Sequence, residues 1–106
     1  MPMTEAADIA SFVRPLRFDA AHPSFAGHFP GRPIVAGVLL LEAAADALRD
    51  WRGMTLRQVV DAKFLAPLLP DQDAEIELVA QDNHRFRFTV RRDGDTLVRG
   101  TLEAGA

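Results

Sequence analysis

The chain contains no cysteine, which excludes thiol nucleophiles, disulfides and thiolate metal sites and suits a reducing cytoplasm, the expected compartment. No apolar run approaches the roughly 18 residues of a membrane-spanning helix, so no span is expected. The first residues, MPMTEAADIA, carry acids where a secretory signal carries bases. Basic charge is scarce too. With 12 Lys and Arg against 15 Asp and Glu, the net charge is −3, which argues against nucleic acid as the main partner. Repeats, linkers and low-complexity tracts are also missing. What remains reads as a single domain over residues 1–106, 48% hydrophobic, with a core small enough to gain from an oligomeric interface, and a dimer is expected.

One segment departs from this plain composition. From Gly27 the chain reads GHFPGRPIVAGVLLLEAAADAL, a histidine followed by a Pro/Gly-rich stretch and then a run of Leu and Ala. Pro30, Gly31, Pro33 and Gly37 require irregular backbone before Val38. After it, VLLLEAAADALRDW has strong helix formers and no Gly or Pro, so a helix is predicted from Val38 to about Arg49, with Gly37 at its N-terminal edge. Glu42 falls in the second turn, behind three leucines. Two readings stand. If other structure wraps the helix, the apolar surroundings disfavour ionised Glu42 and make it a proton donor near neutral pH. If one side faces water, Glu42 shares a solvent stripe with Asp46 and Arg49.

Gly37 and Glu42 lie nine and fourteen positions after His28. The run H-F-P-G-x-P-x-x-x-G-V-L-x-x-E resembles the signature of the β-hydroxyacyl-acyl carrier protein dehydratases of fatty acid and polyketide-like synthesis. The likeness continues more weakly through AKFLAPLLPDQDAEIEL, residues 62–78. It implies a hotdog fold with His28 as catalytic histidine, Glu42 as catalytic carboxylate and Gly37 as backbone donor. It also implies that the histidine and the acid of one site come from opposite subunits. Ala36 stands where the family usually has Pro, and Asp46 where it commonly has Gln. The chain is also shorter than typical members, in segments that help shape the acyl tunnel.

Loss of water from a β-hydroxyacyl thioester needs a base at the α-carbon, an acid at the departing hydroxyl and donors facing the thioester oxygen. His28, with an ordinary imidazole pKa of about 6.5, is suited to accept and return the proton. Glu42 supplies the acid, and the free N–H groups of Gly37 and Val38 supply the donors. Phe29, Pro33, Phe64 and Leu65 are candidate walls for the acyl chain, as is Phe25, and core filling explains each of them equally well. By resemblance, Arg32 lies near the tunnel mouth, where it is suited to dock an acidic acyl carrier protein. No cofactor and no metal is expected, because Asp19, His22 and His28 lack ligand spacing. Two alternatives remain: a hotdog thioesterase in which Glu42 activates water, and a non-catalytic carrier-binding or heterodimer subunit.

The predicted elements are a strand at Ile9–Phe18, the helix, and strands at Leu56–Leu65, Ala74–Ala80, Arg85–Arg92 and Thr96–Glu103. Turns fall at Asp82-Asn83 and Asp93-Gly94. This is an α+β pattern, an antiparallel sheet wrapped around one central helix. In Arg85–Arg92, Phe86, Phe88 and Val90 alternate with Arg85, Arg87, Thr89 and Arg91. The favoured role for that basic side is cross-strand pairing with Glu75 and Glu77, ahead of docking an acidic carrier. Trp51 is expected to be a packing anchor and His84 a turn or edge residue.

Overall fold

The structure is a computed structural model, and it describes residues 10–21, 35 and 37–105. The expectations placed on His22, Phe25, His28, Phe29, Arg32 and Pro33 lie outside these residues. The elements, in chain order, are β1 (Ser11–Leu16), α1 (Gly37–Arg52), β2 (Thr55–Phe64), β3 (Ala74–Ala80), β4 (Arg85–Arg92) and β5 (Asp95–Gly105). The strands form one antiparallel sheet in the order β1-β3-β4-β5-β2. This is the α+β architecture read from the pattern, a hotdog fold.

Local chemistry explains the element ends. Two hairpins join β3, β4 and β5, and each turn holds two successive left-handed residues, Asn83 and His84 (φ 62° and 60°) and Asp93 and Gly94 (φ 53° and 85°). That is the backbone of a type I′ turn, whose twist matches the flanking strands. His84 is therefore a turn residue. The helix runs past Arg49 to Arg52, with both arginines in its last turn, where positive charge suits the helix dipole. Gly53 N–H then donates to the Arg49 carbonyl at 2.8 Å. The first strand is shorter than expected. It stops at Leu16, and two residues later the Phe18 carbonyl accepts from Asp71 N–H at 2.7 Å, which turns the chain off the sheet edge.

α1 packs on one face of the sheet through Leu40, Ala44, Ala47 and Leu48, a stripe at helical spacing. These meet Ile76, Leu78, Phe86, Phe88, Val90, Leu102 and Ala104 from β3, β4 and β5, all buried. Trp51 anchors the far end of the helix, stacked on Phe12 of β1 (centroids 5.6 Å apart) and edge-on to Phe86 of β4 (5.8 Å). Arg14 of β1 adds an ion pair to Asp50 at 2.8 Å. An exposed pair of this kind contributes about 0–1 kcal/mol, so the aromatic packing carries most of that anchor.

Alternation fails in β2. Register shifts between Leu56 and Gln58 and between Val59 and Asp61 each insert one residue, so Leu56, Val59 and Ala62 face the core at intervals of three. The two bulges bend this edge strand around the helix. At the second bulge β2 comes so close to β5 that a Cβ on Gly100 would collide with the Asp61 carbonyl oxygen and lie 2.8 Å from the Phe88 ring. A further shift between Val90 and Arg91 turns both Leu97 and Val98 inward on β5.

Truncating a fully buried ring in such a core leaves a cavity. Phe88→Ala is expected to lower stability by about 3–5 kcal/mol. The check is the urea midpoint followed by fluorescence of Trp51, the sole tryptophan.

Candidate active site at the helix start

α1 begins at Gly37, and the first turn of a helix leaves its N–H groups without intrahelical partners. Those of Gly37, Val38 and Leu39 form a cradle for negative charge, strengthened by the positive end of the helix dipole. Phe64, the last residue of β2, lies directly against this turn. A Cβ on Gly37 would be 2.9 Å from Phe64 Cε1 and 3.0 Å from Cζ, closer than side chains tolerate. Glycine is required here for close approach.

Beyond Gly37 opens an apolar groove of about 320 Å³, lined by Val35, Leu40, Phe64, Leu65 and the Ala66–Leu68 segment. Its far wall is fixed from several sides. Val35 N–H donates to the Leu68 carbonyl (2.8 Å) and Leu65 N–H to the Leu97 carbonyl (2.7 Å). Arg92 Nη1 donates to the Pro67 carbonyl and to Gln72 Oε1, both at 3.0 Å, and the same Gln72 oxygen accepts from Leu69 N–H. Phe64 and Leu65 are 51% and 46% exposed, a large apolar surface left open to the groove mouth. The structure thus brings Gly37, Phe64 and Leu65 together. The Val38 side chain, 59% exposed, lies outside the groove lining, and only its backbone belongs to the helix-start cradle.

Glu42 lies elsewhere. It lines a separate concavity with Leu39, Ala43 and Asp46 of the helix and Arg14, Leu16, Arg17 and Phe18 of the first strand region. Five residues of α-helix rotate a side chain by roughly 140° and advance it by about 7.5 Å, so Gly37 and Glu42 serve different sides of one cylinder. The expectation of a helix wrapped on all sides is corrected for this chain. The sheet covers one face of α1, and Glu42, Asp46 and Arg49 are exposed on the other, with Arg49 paired to Asp46. Of the two readings of Glu42, the solvent stripe describes the single chain. Among the described residues no group of three or more His, Cys, Asp or Glu side chains is placed to hold a metal ion.

On the outer face of the sheet, Arg91 donates to both Glu75 (3.1 Å) and Glu77 (3.0 Å), the pairing favoured from the alternation of β4. Burial works against the Arg91 charge, and the hydrogen bonds from Glu77 and Glu75 outweigh it, leaving the guanidinium pKa raised. Sequence reasoning missed Val35, Leu68, Gln72 and Arg92. The groove wall they build comes from a turn whose only local signal is the prolines at 67 and 70.

A family model described as ApeI-like, ApeI dehydratase, matches residues 5–101. This chain belongs to the ApeI-like family. The ApeI-like chain is 32% identical over 95 residues to the 3-hydroxyacyl-acyl-carrier-protein dehydratase FabZ of Wolbachia sp. subsp. Drosophila simulans, a match covering 77% of this chain and 66% of the relative. It is 32% identical over 98 residues to the FabZ of Rhizobium rhizogenes, covering 80% and 62%. The chain therefore spans somewhat less than two thirds of the length of these curated relatives. Among solved structures, it is similar to a chain of the dehydratase heterocomplex ApeI:P from Xenorhabdus doucetiae, with a TM-score of 0.81, 21% identity and coverage of 92% of this chain and 88% of that one. That likeness shows the hotdog fold.

The contact between the helix start and the β2 ring has a measurable signature. Gly37→Ala is expected to destabilise the ApeI-like chain, and adding Phe64→Ala to recover part of the loss. A double-mutant cycle by urea denaturation should give a coupling of about 0.5 kcal/mol or more.

Proposed function

We propose that this ApeI-like chain dehydrates β-hydroxyacyl thioesters carried on acyl carrier protein, and hydrates the enoyl thioester in reverse. His28 takes the α-proton as base, and Glu42 of the second subunit protonates the departing β-hydroxyl, so that water leaves and the double bond forms between the α- and β-carbons. The Gly37 and Val38 amides face the thioester oxygen while negative charge builds on it. A preorganised donor in this role is worth about 3 kcal/mol. The acyl chain runs along Phe64 and Leu65, with Val38, Phe29 and Pro33 as further walls and Arg32 at the mouth.

The observation that carries this reading is the division of the helix. Its donor end opens on one concavity and its carboxylate on another, so a site using both must draw them from two chains. The open face bearing Glu42 is where the second chain would sit. Membership of a dehydratase family supports the reaction class, and the two FabZ relatives support the carrier-bound substrate. The Xenorhabdus relative is one half of a heterocomplex, and here an identical chain is proposed as the partner.

His28→Ala is expected to abolish the change in enoyl absorbance while leaving the dimer intact on size-exclusion chromatography. Glu42→Gln should lower kcat by roughly 10²–10⁴-fold. Neither variant is active alone. Mixed by co-expression, they should recover about a quarter of wild-type activity, because half the dimers carry one intact site in an isologous pair. No recovery would place both groups in one chain. Release of free thiol in place of an enoyl signal would assign the site to thioester hydrolysis.

A further inference from the structure

The outer face of the sheet, turned away from α1, carries more cations than its own acids neutralise. Arg91 is matched by Glu75 and Glu77, and Arg85 stands directly opposite Glu103. Three cations are left over. Lys63 on β2 is directly opposite Arg99 on β5, and Arg87 on β4 is opposite Thr101, one pairing further along the same strand. All three are exposed, and they border an open concavity of about 700 Å³ in which Asp61 is the only acid. Like charges directly opposite on neighbouring strands are destabilising. The Lys63–Arg99 pair thus costs the fold stability, and an approaching anion relieves it.

The shape selects the class of anion. The three cations span three strands, and adjacent strands are about 4.8 Å apart, so the positive surface is broad and shallow. Several carboxylates spaced over a protein surface fit it better than one compact phosphate, and Asp61 in its midst disfavours close wrapping of a phosphate. The patch also stands against the trend of a chain whose net charge is −3. Lys63 and Phe64 are neighbours at the end of β2, one bordering the basic face and the other the apolar groove beside Gly37. A carrier seated on the basic face would need to send its thioester arm only around the end of that strand.

We propose that Lys63, Arg87 and Arg99 form the docking surface for the acidic acyl carrier protein that delivers the thioester. This rests on the function proposed above. Lys63→Glu separates docking from folding, because it replaces a like-charge cross-strand pair by an opposite-charge one. Its urea midpoint should stay level or rise, while KM for a β-hydroxyacyl carrier-protein substrate rises about tenfold, in the range of electrostatic steering, and becomes less sensitive to salt. Arg87→Glu should raise the same KM. With a pantetheine thioester lacking the protein, kcat and KM of both variants should match wild type.

Carrier KM values within twofold of wild type in both variants overturn the docking surface and leave the dehydratase reading standing. An equal loss with a coenzyme A thioester assigns the patch to phosphate and also overturns it. Should the wild-type protein turn over neither thioester, the functional reading fails, and calorimetric titration with carrier protein then decides: binding weakened by Lys63→Glu supports the surface, and unchanged or absent binding overturns it.

Discussion

An α-helix laid on a sheet can be covered by that sheet on one side only, and every functional feature of this molecule follows from that constraint. The stripe Leu40, Ala44, Ala47 and Leu48 is committed to the core. Gly37 lies nearly in line with the stripe, so the free amides of the first turn open where the sheet edge and the groove meet. Glu42 lies on the uncovered side. One helix thus presents two kinds of chemistry in two directions, and a pair of such chains is the simplest arrangement that lets donor and acid converge.

The groove itself depends on the irregularity of β2. A straight strand with strict alternation would carry its last residue away from the helix. Two inserted residues bend it inward, and Phe64 ends against Gly37 with no room for a single extra carbon. Across the sheet, Gly100 permits the same bend by letting the two backbones approach. Two glycines distant in sequence therefore serve one curved edge.

Much of this was legible in the residues. The helix, the order of strands and the two hairpin turns followed from Leu/Ala richness, period-two alternation and Asp-Gly or Asp-Asn signals. The pairing of the β4 arginines with β3 glutamates was half legible, since Arg91 makes it while Arg87 does not. What escaped was non-local. The bulges of β2 leave no mark in its sequence, because an inserted residue looks like any other until the partner strand is known. The exposure of Glu42 escaped for a related reason: Leu39, Leu40, Leu41 and the alanines make the helix apolar all round, which reads as burial, whereas the sheet accounts for only one side. The wall built by Gln72 and Arg92 spans twenty residues of chain, and neither residue has a local motif.

The two ends of α1 are held very differently. Trp51, wedged between Phe12 and Phe86 with the guanidinium of Arg52 over its ring, clamps the last turn to both β1 and β4. The first turn leans on one half-exposed ring and the apolar edge of the groove. Opening free energies in a folded protein vary with such local density, so amide protons at the start of the helix exchange at lower cost than those near its end. The turn that would greet a reacting oxygen is thus able to breathe without loosening the rest, and accommodation of different acyl chains need not involve global unfolding.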